Sequence, residues 1–196
     1  RPNTTGSRTW GPFTASNFGD TYIGGNLIIN NGYAGSYAKL SNNGTITEGI
    51  TNTIFQNNAA TNFGGAIYNS STTSNLKISD IDFTNNVANL YGGAIYNSFT
   101  QGSVFNDNYA NTSGGAAYNS TVTDCNFTNN SAKYGGAVYF SSAINCIFTD
   151  NNANYGGALG KGNATRCTFI NNYAESGGAL YESHVRDSIF MRNAVN

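Results

Sequence analysis

The sequence predicts an all-β fold, a right-handed parallel β-helix (solenoid) built from rungs of roughly 21 residues. First, a motif of aromatic, Asn and Gly-Gly residues at 127–139 returns at 148–159 and again at 169–181. Second, 24 Gly, 13 Tyr and 12 Phe accompany only 10% charged residues. Third, short aromatic and β-branched runs end at Gly or Asn, which indicates strands and turns rather than helices. A fixed period of this length is typical of stacked repeat folds.

The composition argues against several classes of function. A net charge of −1 and the lack of a Lys/Arg cluster argue against a nucleic-acid partner, because phosphate binding needs a basic surface. No apolar run approaches the roughly 18 residues of a membrane helix, so no membrane span is predicted. The many aromatic residues argue against a disordered chain. Because the chain begins at Arg1 rather than Met, we expect a mature or excised form.

Two segments are predicted along the chain. Residues 1–49 do not follow the repeat and are interpreted as an N-terminal cap with one degenerate rung at Gly24-Gly25 and an excursion near Tyr33 to Thr47. End repeats of stacked folds are usually atypical. An independent small subdomain is the alternative. Residues 50–196 form the β-helix repeats, with an uncapped C-terminal end and a polar insertion from Ser70 to Asn75 that is expected to be a solvent loop.

Each rung is expected to contain three short strands and three turns, with successive rungs about 4.8 Å apart. Residues that recur once per rung then form columns along the rod. A Phe column is predicted inside, an Asn column at a corner where side-chain amides bond along the rod, and Gly-Gly at another corner. The predicted structural core comprises Phe55, Phe83, Phe105, Phe127, Phe148, Phe169 and Phe190, together with Asn58, Asn86, Asn108, Asn130, Asn151 and Asn172.

Three cysteines, Cys125, Cys146 and Cys167, occupy one position in successive rungs and belong to the same predicted interior. The main interpretation is three buried thiols that act as small apolar side chains. A disulfide between neighbours is the alternative, since the rung spacing lies within the allowed Cα separation, and it would leave one thiol unpaired. A metal site would need a fourth ligand and another spacing. No metal and no cofactor are therefore predicted.

The paired Phe-x-x-Asn and Gly-Gly-Ala-[Ile/Leu/Val] motifs resemble the repeats of chlamydial polymorphic membrane proteins. The Asn-rich form of the repeat at 127–139 is even more similar to the repeats of adhesin-like surface proteins of methanogenic archaea. The resemblance covers residues 50–196. It implies a secreted or surface-attached β-helix with an adhesive or structural role.

A Tyr column follows the Gly-Gly-Ala motif by one aliphatic residue. The aliphatic residue is the better candidate for the interior, which would turn the tyrosines outward as a ladder that suits sugar rings or a partner rod. In the alternative, the tyrosines stack on each other and shield the turns. The candidate ladder consists of Tyr68, Tyr96, Tyr118, Tyr139 and Tyr181, with Gly160 in place of one tyrosine.

Residues that could support catalysis are few. His184 is the only histidine and lies among charged neighbours in the last rung, which suits a solvated edge. Asp80, Asp82 and Asp124 could bind Ca²⁺ or form an acid–base pair, but no basic column accompanies them. A non-enzymatic protein is therefore predicted, with a carbohydrate-active enzyme as the weaker alternative.

The predicted function is adhesion or surface structure at an extracellular or cell-surface location. The alternative is a subunit that stacks head-to-tail into an extracellular filament. The expected partners are other copies of the chain or the rest of a longer chain, with surface glycans as a further candidate. The candidate assembly ends are Trp10, Phe13 and Phe18 at one end, and Val185, Ile189, Phe190 and Met191 at the other.

Overall fold

The computed structural model of the protein describes the backbone of strands at 8–10, 15–16, 27–30, 33–34 and 40–42, and then residues 50–51, 53–69 and 77–196. All regular elements in these residues are strands, and they pair in parallel. The prediction of an all-β parallel β-helix with a rung of about 21 residues is confirmed. The hand of the coil stays a prediction.

The early strands precede the regular part of the coil. They are β1 (Arg8–Trp10), β2 (Ala15–Ser16), β3 (Leu27–Asn30), β4 (Tyr33–Ala34), β5 (Leu40–Asn42) and β6 (Ile50–Thr51). The first two regular turns contain β7 (Thr53–Gln56), β8 (Ala59–Ala60), β9 (Ile67–Asn69), β10 (Lys77–Ser79), β11 (Asp82–Thr84), β12 (Val87–Ala88), β13 (Ile95–Tyr96) and β14 (Phe99–Gln101).

The next four turns repeat the same order of strands. The third and fourth contain β15 (Val104–Asn106), β16 (Tyr109–Ser113), β17 (Ala117–Tyr118), β18 (Thr121–Thr123), β19 (Asn126–Thr128), β20 (Ser131–Tyr134), β21 (Val138–Tyr139) and β22 (Ser142–Ile144). The fifth and sixth contain β23 (Ile147–Thr149), β24 (Asn152–Tyr155), β25 (Leu159–Gly160), β26 (Asn163–Thr165), β27 (Thr168–Ile170), β28 (Tyr173–Ser176), β29 (Leu180–Tyr181) and β30 (His184–Arg186). β31 (Ile189–Met191) and β32 (Ala194–Val195) begin a further turn.

Each turn contributes one strand to each of four parallel sheets, which we number in the order in which the chain visits them. Sheet 1 runs from β1 and β3 through β7 to β31, sheet 2 from β4 to β32, sheet 3 from β2 to β29, and sheet 4 from β6 to β30. The prediction of three strands per rung is therefore wrong. The fourth strand escapes sequence reasoning because strands such as β13 and β17 are two residues long, too short to show alternation. Six turns at about 4.8 Å give a regular coil about 30 Å long.

Each of the five turns from β11 to β30 bends at four corners, and a residue with positive φ marks each corner. Between sheets 1 and 2 this residue is Asn or Asp in most turns, such as Asn129 with φ of 55°. Asn and Asp tolerate this conformation better than other non-Gly residues. Between sheets 2 and 3 it is the first Gly of each pair, such as Gly135 with φ of 60°. The second Gly permits close approach, because a Cβ on Gly136 would lie 2.1 Å from the Gly157 carbonyl oxygen.

The Phe column lies inside sheet 1. Six of its rings, from Phe55 to Phe169, are completely buried and stack with centroid separations of 4.6–5.5 Å. Each such burial contributes about 1.5–3 kcal/mol relative to an exposed side chain. Phe190 stacks on Phe169 at 4.9 Å, yet it is 45% exposed because no later turn of this sequence lies over it. Its assignment to the core is therefore corrected.

The Asn column forms a buried hydrogen-bonded ladder at the corner between sheets 1 and 2. Asn130 shows the pattern. Its Nδ2 donates to Asn151 Oδ1 at 3.0 Å and to the Phe105 carbonyl oxygen at 2.9 Å, and its Oδ1 accepts from the backbone N–H and Nδ2 of Asn108. Both amide hydrogens and the amide oxygen are thus satisfied without water, which a buried amide requires. The ladder links turns from Asn58 to Asn193.

The early strands extend the sheets of the regular coil. β1 pairs with β3 and β3 with β7 in sheet 1, while β5 pairs with β9 in sheet 3. The division at residue 49 and the cap stay predictions, and the expected solvent loop from Ser70 to Asn75 lies outside the described residues. Within the described part of the chain, no helix has the length and apolarity needed to cross a membrane.

Candidate functional site

The tyrosine ladder follows the corner at which the Gly-Gly pairs connect sheets 2 and 3. Strand pairing places Tyr68, Tyr96, Tyr118 and Tyr139 at equivalent positions of consecutive turns. Their ring centroids lie 5.3, 5.4 and 5.9 Å apart. The rings therefore stack largely on one another, so neighbouring tyrosines cover much of the ring faces that a sugar would need.

A second aromatic column, which sequence reasoning missed, stands on the other side of each Gly-Gly pair. It consists of Phe63, Tyr91, Tyr134 and Tyr155. Phe63 stacks on Tyr91 at 5.5 Å, and Tyr134 stacks on Tyr155 at 5.0 Å. The signal in the sequence is an aromatic residue directly before Gly-Gly, which Ser113 and Ser176 interrupt.

The two columns contact each other across the glycines. Tyr91 lies 4.6 Å from Tyr118, and Tyr155 lies 5.2 Å from Tyr181. Burial is the largest factor that raises the pKa of Tyr96 and Tyr118 above the ordinary 10.0. The ladder is thus a half-buried aromatic wall, and the hydroxyl groups of Tyr96 and Tyr118 stay neutral at physiological pH.

Tyr139 departs from its predicted outward position. Only 8% of this residue is exposed, since its ring lies over Gly160 of the next turn. A Cβ on Gly160 would lie 2.6 Å from Tyr139 Cδ2. The gap in the ladder is therefore filled by the preceding tyrosine, which folds down onto the glycine.

The corner between sheets 3 and 4 lies directly after the ladder. Its residues with positive φ are Asn97, Asn119, Phe140, Lys161 and Glu182. A column of small residues follows, in which Ser120 Oγ donates to the Tyr118 carbonyl oxygen at 2.9 Å and accepts from the Ser98 backbone N–H at 3.2 Å. Sequence reasoning missed this serine ladder, although Ser recurs two residues after most of the tyrosines.

Phe140 is the most exposed aromatic residue in the described part of the chain, with 50% of its area accessible. It lies edge to face with Tyr118 and Tyr139, at interplanar angles of 81° and 76°. Lys161 Nζ stands 5.8 Å from its ring centroid and 3.4 Å from Glu182 Oε2. A positive φ for residues such as Phe and Lys costs about 1–2 kcal/mol. The corner therefore carries strain that Asn would avoid.

The three cysteine thiols are free and buried. Cys146 Sγ donates to the Ile144 carbonyl oxygen at 3.2 Å, as Ser103 Oγ does to Gln101 in the same column. Hydrogen bonds with Cys125 and Cys167, followed by burial, raise the pKa of Cys146. The hydrogen bond with Cys146 lowers the pKa of Cys125 and brings that of Cys167 to about 7. Among the described residues, no group of His, Cys, Asp and Glu could hold a metal ion.

The candidate carboxylates do not form a cluster. Asp80 and Asp124 occupy the corner between sheets 4 and 1 two turns apart, about 10 Å along the coil. Asp82 lies in β11 rather than on the same strand as Asp80. Asp124 accepts hydrogen bonds from Gln101 and Asn145, both at 3.1 Å. His184 is exposed in β30.

The candidate assembly residues at the C-terminal end are exposed: Val185 at 45%, Ile189 at 58% and Met191 at 42%. At the other end, Phe13 and Phe18 lie outside the described residues. Only the backbone of Trp10, in β1, is described.

The family model for the Chlamydia polymorphic membrane protein repeat matches residues 52–70, 80–98, 124–141 and 166–181. Each match spans both a Phe-x-x-Asn motif and a Gly-Gly-Ala motif, and the matches fall on the regular turns of the coil. The chain thus carries repeats similar to those of polymorphic membrane proteins. Neither a curated protein nor a solved structure matches the chain.

Proposed function

We propose that this chain is a non-enzymatic β-helix protein that acts outside the cell, in adhesion or in a surface layer. The observation that carries the proposal is the repeat similarity to Chlamydia polymorphic membrane proteins on a continuous β-helix. That family name points to a membrane-associated surface. A rigid coil with side chains in columns suits the display of a repeated binding surface at a distance from the cell.

The arrangement of the carboxylates supports a non-enzymatic role. Asp80 and Asp124 stand on an exposed corner about 10 Å apart, each within a short turn between strands. Glycoside hydrolysis needs two carboxyl groups that face one sugar across a cleft. The corners between the described turns are too short to build the walls of such a cleft.

The composition supports a more specific source. The Asn-rich form of the repeat resembles adhesin-like surface proteins of methanogenic archaea, and Asn fills both the buried ladder and many of the corners with positive φ. We therefore propose an archaeal surface adhesin as the finer assignment.

Two measurements test this function. An antibody raised against the purified chain should label intact cells of the source organism, and external protease should remove the label. Beads coated with the chain should adhere to cells or to immobilised cell-wall polysaccharide. Beads coated with the heat-unfolded chain are the control, because they carry the same composition without the columns.

The enzyme alternative is tested on the same polysaccharides. We expect neither new reducing ends nor unsaturated sugar products after prolonged incubation. Product release by the native chain, lost in an Asp80→Asn/Asp124→Asn variant, would overturn the non-enzymatic assignment. Label found only after cells are opened would overturn the surface location.

An end-to-end filament is the second candidate. The observation in its favour is the row of exposed apolar side chains on the last turn, including Ile189 and Phe190. A further turn of a longer chain would cover this row equally well. Negative-stain microscopy and sedimentation distinguish these two cases. The 196-residue chain forms long fibres if it is a filament subunit, and it does not if the exposed row is normally covered by a further turn of the same chain. Removal of residues 1–20 should abolish such fibres.

A further inference from the structure

The repeat breaks at one place on the surface of the coil. In the tyrosine ladder, Gly160 stands where the other turns have Tyr. In the next column, Phe140 and Lys161 stand where Asn97 and Asn119 do in earlier turns. One column further, Gly162 replaces a serine of the serine ladder. These departures fall in neighbouring turns at the corner between sheets 3 and 4, so they lie together although they are separated in sequence.

The fold does not require these residues. Phe140 has φ of 51° and Lys161 has φ of 47°, a conformation that Asn97 and Asn119 adopt at the equivalent positions. Asn tolerates this region of backbone conformation, whereas a bulky residue there is an outlier. Strained residues often cluster at functional sites. Arg166, Glu182 and Arg192 adopt the same conformation, but Phe140 is the only aromatic residue among the described positions with positive φ. The identity of Phe140 therefore points to a role outside the coil.

A small cavity accompanies the break. It has a volume of about 220 Å³ and spans three turns, with Phe140 and Lys161 beside the polar side chains of Asn119, Thr121, Ser142 and Asn163. Sites for drug-sized ligands usually have volumes of roughly 300–1,000 Å³, so this cavity suits one smaller unit. Gly162 also lines it.

The chemistry of the cavity is an aromatic ring beside neutral hydrogen-bonding groups. Among the described rings, none stacks parallel on Phe140, whose contacts with Tyr118 and Tyr139 are edge to face. The ion pair between Lys161 and Glu182 neutralises the one positive charge at the site. A neutral ligand with an apolar face and a rim of hydroxyl groups matches these features, and a pyranose ring has that form.

We propose that this corner, which we call the Phe140 corner, binds one neutral saccharide unit. The C–H face of the sugar packs on the Phe140 ring. Its hydroxyl groups bond to the side chains of Asn119, Thr121, Ser142 and Asn163, and Lys161 donates to a further hydroxyl. This inference rests on the proposed adhesive function and names its ligand class. It also moves the glycan site from the stacked tyrosines, whose faces are covered, to the position at which the ladder is interrupted.

The test uses the full chain, produced without N-glycosylation because Asn119 and Asn163 both begin Asn-x-Ser/Thr sequences. The probes are methyl glycosides of glucose, galactose, mannose and N-acetylglucosamine. At least one should show saturation transfer and shift the backbone amide signals of residues 119–121, 140–142 and 161–163. A single sugar unit on an open site should bind with a dissociation constant on the order of 1 mM.

Phe140→Asn is the informative variant, because it restores the residue of the neighbouring turns. It should weaken sugar binding at least about tenfold, a change of about 1.4 kcal/mol, while its thermal midpoint stays equal or rises. Tyr173→Asn is the matched control: Tyr173 is 39% exposed on sheet 2, and Asn152 fills its position in the preceding turn. This control should leave sugar binding unchanged.

The outcomes separate this inference from the proposed function. Amide shifts that stay elsewhere, or sugar binding that survives Phe140→Asn, would overturn the Phe140 corner. So would the lack of any signal from all four glycosides at tens of millimolar. If coated beads still adhere in those cases, the adhesive function stands without this site. If sugar binds at the corner but no surface retains the beads, the site stands and the adhesive function fails.

Discussion

The inner face of sheet 1 and the outer tyrosine corner both carry aromatic residues stacked at the rung spacing. They differ in how regularly the aromatic residue recurs from turn to turn. Phe recurs without exception at the inner position from Phe55 to Phe169, and each ring is fully buried. The outer ladder loses its tyrosine at Gly160, and its companion column loses its aromatic at Ser113 and Ser176. The coil continues through these gaps. The inner columns thus specify the fold, and the outer columns are free to vary with function.

Replacement of one inner ring should give the largest effect. Phe148→Ala removes a fully buried side chain between Phe127 and Phe169 and should cost about 3–5 kcal/mol of unfolding free energy. Tyr96→Ala is the matched variant in the outer ladder and should cost about 1–2 kcal/mol, since a half-buried ring gives up less apolar area. Urea unfolding measures both. A loss below about 1 kcal/mol for Phe148→Ala would mean that the assigned register is wrong.

Removal of one side-chain amide from the buried Asn ladder should give the next largest loss of stability. Asn151→Ala removes the acceptor for the Asn130 backbone N–H and Nδ2 and the donor to the Phe127 carbonyl oxygen. Buried groups without partners cost about 1–3 kcal/mol each, so we expect a loss of about 2–4 kcal/mol after partial relaxation.

The control for the ladder is Asn152→Ala, one residue along the chain, where the side chain is exposed in β24. It should change stability by less than about 0.5 kcal/mol. Equal losses in the two variants would contradict a specific role for the buried ladder.

The parts of the molecule that repeat in every turn could be predicted from the sequence. The period, the parallel β-helix and the positions of Phe and Asn follow from residues that return at fixed spacing. The number of sheets could not, because two-residue strands such as Ile95–Tyr96 leave no alternation to detect. The second aromatic column escaped because it is present in four of six turns.

The Phe140 corner was hidden for a different reason. Phe140, Gly160 and Lys161 each look like an isolated exception along the chain, and only the stacking of turns brings them together. Whether Tyr139 faces outward also depends on its neighbour in the next turn, since the absence of a side chain at Gly160 lets the ring fold down. Such relations between turns do not show in a single repeat.

A smaller effect is expected in the alkylation of the three buried thiols, whose reaction rate reports whether the cysteine column lies inside the coil. Cys125, Cys146 and Cys167 are at most 1% exposed, so native protein should react with iodoacetamide far more slowly than denatured protein. All three should react after denaturation without reductant, as counted by mass spectrometry. Because the thiolate is the reactive form and the pKa of Cys167 is about 7, residual native labelling should appear first at Cys167 and rise with pH around 7. Only one reactive thiol after denaturation would establish a disulfide instead.

The smallest expected effect is a loss of stability at alkaline pH that originates in the outer ladder. Burial raises the pKa of Tyr96 and Tyr118 in the fold above 10.0, so near that pH the folded chain holds protons that the unfolded chain releases. The stabilisation is present in full below about pH 10 and is lost as the pH rises through the folded values. The thermal midpoint should therefore fall as the pH rises above about 10. A Tyr96→Phe/Tyr118→Phe variant keeps the stacked rings without the ionisable hydroxyls, so its thermal midpoint should fall less. Lysine residues titrate in the same pH range in both proteins and therefore do not affect the comparison. Identical pH profiles for the two, with tyrosinate absorbance rising at the ordinary pKa, would show that the outer rings are solvated and do not form the wall described for them.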